Sequence, residues 1–137
     1  MSKKLKARFG TDEAKEEEGV WADFGEGIRV KVRRFKSRIV QETQRKLHKP
    51  FADTVRRGPL PDHIAEDLMA KLMAQAIIAD WEIPGDEEGD PPVPNTVEAK
   101  LAIIKNKDYA EFRDEILAIS FERDAYRQSL DEDGEKN

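Results

Sequence analysis

The sequence predicts a small α+β domain that is mainly helical: an N-terminal β-hairpin followed by about four helices packed as one unit, with flexible charged termini. Three observations carry this. Ile28, Val30 and Val32 alternate strictly with Arg29, Lys31 and Arg33, the period-2 pattern of a half-buried strand. Ile64, Leu68, Leu72, Ala76 and Trp81 recur at helical spacing, the stripe of a core helix. Pro- and Gly-rich breaks at Gly58-Pro59-Leu60-Pro61 and in the stretch Ile83–Pro94 punctuate the helical segments.

Taken in order, residues 1–18 mix both charge signs, and Leu5 and Phe9 are their sizeable apolar groups. Such a segment buries too little surface to offset its ordering entropy, so it reads as a disordered charged tail, or one that orders against a partner. Residues 19–128 form the expected domain, with the hairpin at 20–33. On the first strand Val20, Ala22 and Phe24 share a face, and Gly25-Glu26-Gly27 supplies turn chemistry. Two strands alone are marginal, so the hairpin must lie on helices or pair with another chain. Ser37 is a plausible N-cap for a helix in which Ile39, Val40, Thr43 and Leu47 share a face. Pro50 stops or kinks it, and residues 51–57 suit a short helical piece.

Asp62 is expected to cap the strongest helix, residues 63–80, whose stripe Met69, Met73 and Ile77 widen and Trp81 ends. The stretch DWEIPGDEEGDPPVP then reads as a connection within one domain. Thr96 caps the next helix, and Asp108 with Glu111 has the spacing of a capping box for the last one, which kinks or restarts near Ser120. Residues 129–137 read as a solvated acidic tail.

The chain has 137 residues, enough for a modest core, and 39% of them are charged against roughly 25% in an ordinary domain. It has no cysteine, which excludes disulfides and thiolate metal sites. No apolar run approaches the ~18 residues of a membrane helix, and the basic N-terminus leads into no apolar segment of a signal peptide. The expectation is a soluble protein of a cytoplasm-like compartment, without a membrane partner. The net charge of −5 conceals a basic middle, +9 over residues 29–57, against −12 over residues 58–137. These halves either face each other in the fold or an oligomer, or serve partners of opposite charge.

Chemistry finds little to build on. Counted from Asp86, an EF-hand would place Pro91 where its Gly belongs and Val97 where its Glu belongs, so the acids read as solvated. His48 and His63 lack metal-site spacing, and neither a nucleophile motif nor a phosphate-binding Gly loop is present. The expectation is a non-enzyme, with no catalytic residues, metal or cofactor. The run Arg29, Lys31, Arg33, Arg34, Lys36 and Arg38 could touch nucleic acid, but the chain is acidic overall, and Lys and Arg commonly blunt strand edges.

The order of motifs adds a resemblance. A hairpin of the form W-x-x-F-G-x-G-I-x-V precedes LHKPF at residues 47–51. Asp80-Trp81, Asp86, Gly89, Pro91 and Thr96 follow, and then FERDAYRQ. This pattern, over roughly residues 20–128, resembles the small tail assembly chaperones of long-tailed bacteriophages and prophages. It departs from them at Pro94-Asn95-Thr96-Val97, where an aromatic and a proline are usual, and in the N-terminal tail. The resemblance implies a protein that binds the tape measure protein, keeps it soluble and recruits tail tube subunits of the major tail protein. It would act in the host cytoplasm and be absent from the finished virion; a homo-oligomer is compatible with this. A groove between helices would suit the helix-rich tape measure. Trp81, Met69, Met73 and Phe112 are the candidate anchors, each also readable as core packing, and Arg29, Lys31 and Arg33 are candidate partner contacts. Two other functions fit: a structural tail or neck component whose hairpin extends a neighbour's sheet, and a nucleic-acid-binding regulator using residues 29–38.

Overall fold

In a computed structural model, which describes residues 2–127, strand β2 (Ile28–Val32) is the centre of a three-stranded antiparallel sheet, between β1 (Val20–Gly25) and β3 (Ile78–Glu82). The predicted hairpin is present. Glu26 and Gly27 form a two-residue loop with φ of 55° and 82°, the left-handed pair that a type I′ turn requires. Val30 and Val32 are fully buried, while Trp21 and Asp23 point outward from β1.

Four longer helices pack around the inner face of the sheet: α3 (Arg38–His48), α5 (Asp62–Leu72), α6 (Val97–Lys105) and α7 (Ala110–Phe121). The fold is the small, mainly helical α+β domain that the sequence predicts. Between α3 and α5, a 3₁₀ turn at Lys49–Phe51 leads into α4 (Ala52–Arg57). Ser37 Oγ accepts the Val40 N–H at 3.4 Å, and Thr96 Oγ1 accepts the Ala99 N–H at 3.1 Å, so both predicted caps form. Two others do not. Pro61 holds the N-cap position of α5, with Asp62 already inside the first turn. Asn106, not Asp108, caps the 3₁₀ turn Lys107–Tyr109 that opens α7, accepting the Asp108 N–H at 2.9 Å. In each case the chain enters the helix through an extended residue one or two positions earlier than the acid.

The largest difference concerns residues 63–80. The helix ends at Leu72, widens into a π-turn over Met73–Ile77 and becomes β3, so Trp81 lies on a strand rather than at the end of a helix. A hairpin is unstable without more partners, and the β-branched Ile78 with Trp81 helps supply a third strand. Val30 pairs with Trp81, Lys31 with Asp80 and Val32 with Ile78, leaving Ala79 as the extra residue of a bulge. The bulge turns Ile78 and Trp81 to the same inner face, and both are buried.

The expected N-terminal tail is also structured. Residues Lys3–Phe9 form α1 and Glu13–Glu18 form α2, capped by Ser2 and Asp12, and neither helix buries a residue. Composition correctly denies this arm a core; polar contacts described below hold it instead. At the other end, α7 stops at Phe121 and a 3₁₀ turn at Arg123–Tyr126 follows. The expected acidic tail, 129–137, lies outside the described residues, as does Gln128.

Candidate partner-binding site

Helices α5, α6 and α7 leave an open groove between them. Met69 and Ala70 of α5, Ile104 of α6 and Leu117 of α7 form its apolar lining, and His63, Glu66, Asp67, Lys105, Arg113 and Asp114 its polar one, around a cavity of about 450 Å³. Asp67 links two helices, meeting Lys105 of α6 at 2.5 Å and Lys71 of its own helix at 2.9 Å. Hydrogen bonds from Lys105 and then Lys71 hold its carboxyl below the usual range. Met69, the unbranched side chain in the lining, adapts to irregular partners.

The groove takes in one of the four expected anchors. Met73 is fully buried and Trp81 is 3% exposed, so both serve the core rather than a surface. Phe112 meets Phe24 edge-on, with ring centres 5.2 Å apart, and ties α7 to the hairpin. Ile104 and Leu117, which complete the groove, were not singled out in the sequence; their spacing reads as ordinary helix packing.

The motif that carries the resemblance folds as a clasp. Trp81 Nε1 donates to Pro94 O at 3.0 Å, Asn95 Nδ2 donates to Asp80 Oδ1, and the Val93 N–H donates to Ile83 O at 2.9 Å. A Cβ at Gly85 would lie 2.5 Å from Asp90 Cβ, so the loop closes tightly because Gly stands there. Lys100, buried on α6, donates from Nζ to Ile78 O at 3.1 Å, where the π-turn gives way to β3. Burial lowers its pKa, opposed by the nearby Asp80. Its place among Leu101, Ile103 and Ile104 is the signal that could have found it.

The basic run is engaged within the chain. Arg29 stacks 4.5 Å over the Trp21 ring and pairs with Glu82 at 3.2 Å. The sheet register sets Lys31 between Trp21 and Asp80. Arg33 Nε donates to Glu17 O at 2.7 Å and its Nη1 to Ala76 O at 2.9 Å. Arg34 pairs with Glu16 at 3.2 Å. Of the basic run, Arg29 meets an acid of the C-terminal half, Glu82, and Arg34 an acid of the N-terminal arm, Glu16.

A family model described as YdaY prophage protein matches residues 35–137. The chain belongs to the YdaY prophage protein family. It is thus a phage or prophage protein, and the matched span includes α3, β3 and all three helices of the groove. The arm and the β1–β2 hairpin precede the span. No curated protein and no solved structure matches the chain. Among the described residues, no helix is long and apolar enough to cross a membrane.

Proposed function

We propose that this member of the YdaY prophage protein family is a non-catalytic tail assembly chaperone. It binds the phage tape measure protein and helps recruit tail tube subunits during tail morphogenesis. The observation that carries the reading is the groove between α5, α6 and α7: an apolar lining with a charged rim, within the span that the family shares. A tape measure is a long helical chain with apolar stripes that aggregate when bare. A helix laid in such a groove would set its apolar stripe against Met69 and Leu117, with the buried Ile104 as the floor beneath. Co-expression with the tape measure protein should raise its soluble yield and co-purify the pair. Met69→Glu should abolish both effects while leaving the circular dichroism spectrum of the folded protein unchanged. Unchanged solubility with no co-purification sinks the proposal.

A second reading is favoured by one feature. β1 is an edge strand with Trp21 38% exposed, so a structural tail component could extend its sheet there. Mass spectrometry of purified particles separates the two, because a chaperone is missing from them and a component is present at fixed copy number.

A further inference from the structure

The arm is held at its carbonyl ends. Arg33 Nε donates to Glu17 O, and the Arg34 N–H donates to Glu16 O at 3.3 Å. The Glu16 carboxylate pairs with the Arg34 guanidinium, both side chains nearly buried (14% and 12% exposed), and Glu17 Oε1 accepts the Arg38 N–H at 2.8 Å. α1 is held in the same way, Arg127 Nη2 donating to Ala7 O at 2.7 Å. Cations are favoured at the last turn of a helix, where unpaired carbonyls gather. Yet no side chain of α1 or α2 is buried.

We propose that the junction between β2 and α3, residues 33–38, is a receptor for the C-terminal end of an acidic helix, filled in cis by α2 and open to a partner's acidic helix when the arm lifts. The junction is shaped without help from the arm. Arg33 Nη1 is fixed on Ala76 O, the Arg33 N–H donates to Ile77 O at 2.8 Å, and Ser120 Oγ donates to Arg33 O at 2.8 Å. Its Nε therefore stays aimed at the carbonyl site whether or not α2 fills it, and such preorganisation lowers the cost of binding. The arm joins the sheet through Gly19, at φ 94°, a position where the chain can turn. A protein helix suits the junction better than nucleic acid does. Two of its contacts reach main-chain carbonyls in the last turn of a helix, which a phosphate chain does not present. This inference stands apart from the tape measure reading and uses a different surface.

The test uses the full chain. A tethered arm competes at millimolar effective concentration, so it must first be repelled, which Glu16→Lys with Glu17→Lys does. A labelled helical peptide of residues 2–19, with its native glutamates, is then titrated by fluorescence anisotropy. The doubly substituted chain should bind at least about tenfold tighter than the wild type, Arg34→Glu added to it should remove binding, and the Arg34 amide should lose hydrogen-exchange protection. An arm-exchanged dimer of the wild type at high concentration would support the same receptor. Equal binding by both proteins, an Arg34 amide that stays protected, or loss of fold in the substituted chain overturns it. Binding of a single-stranded DNA oligonucleotide as tightly as the peptide also overturns it, since the surface would then be a generic polyanion site.

Discussion

Two segments close onto the same sheet by opposite means. The clasp, residues 83–96, is fastened to β3 by the buried Trp81, whose indole reaches Pro94 O, and by main-chain bonds such as Val93 to Ile83. The arm, residues 2–19, is fastened to the end of β2 by arginines meeting glutamates and carbonyls, with no buried side chain of its own helices. Burial of apolar surface is not screened by salt, whereas contacts between charges weaken as ions screen them. The molecule thus combines a permanent closure with one that ionic conditions can loosen. Three changes separate the two closures.

The largest effect is expected at the clasp. Trp81→Ala removes a core indole from between β2 and the helices and releases Pro94 O. It should cost about 3–5 kcal/mol in chemical denaturation, a large share of a small domain's stability. Trp81→Phe retains most of the apolar area and should cost clearly less. Equal and negligible losses for both would show that the clasp does not depend on burial.

An intermediate effect is expected at Tyr126, which links the arm to β2. Its hydroxyl donates to Val32 O at 2.8 Å from a fully buried ring, and its carbonyl accepts the Asp12 N–H at 2.8 Å. Burial is the main cause that pushes the phenol well above its ordinary range. A raised acid stabilises the fold fully below the unfolded value near 10, and that contribution is lost as pH rises above it. Tyr126→Phe should cost about 1 kcal/mol at neutral pH. Between roughly pH 10 and 12 the wild type should lose stability faster than the variant. Parallel pH profiles for the two proteins would remove Tyr126 as the source.

The elements of the fold were unequally legible in the sequence. The hairpin was readable because alternation and a Gly-Glu-Gly turn are local signals, as were the caps at Ser37 and Thr96. β3 was not, and the reason is specific. The bulge at Ala79 places Ile78 and Trp81 three residues apart on one face, and that interval is helical spacing. A strand containing a bulge therefore continued the stripe of α5 without a break in pattern. The arm was misread for another reason. Its composition predicts no core, and none is present, but pairing between Glu16 and Arg34 is a property of the fold that no window of sequence displays. At the groove, Met69 was legible as an adaptable apolar residue. Ile104 and Leu117 come from helices whose neighbours only the tertiary arrangement determines.

The smallest effect is expected at the arm, and it sharpens the contrast most. Glu16→Gln leaves the Arg34 guanidinium without its charge partner, and because the arm can lift locally and return Arg34 to water, global stability should fall by only about 1 kcal/mol. Raising salt from about 0.1 M to about 1 M shortens the screening length from roughly 10 Å to 3 Å. Hydrogen exchange should then quicken at Gly19 and Arg34, whose amides donate to Lys15 O and Glu16 O. Exchange at Val93, whose amide closes the clasp on Ile83 O, should stay unchanged. In the Glu16→Gln protein the salt response at Arg34 should shrink, because the ion pair that salt screens is already gone. If Val93 and Arg34 instead quicken together at high salt, the two segments open as one unit and the contrast between their closures is lost.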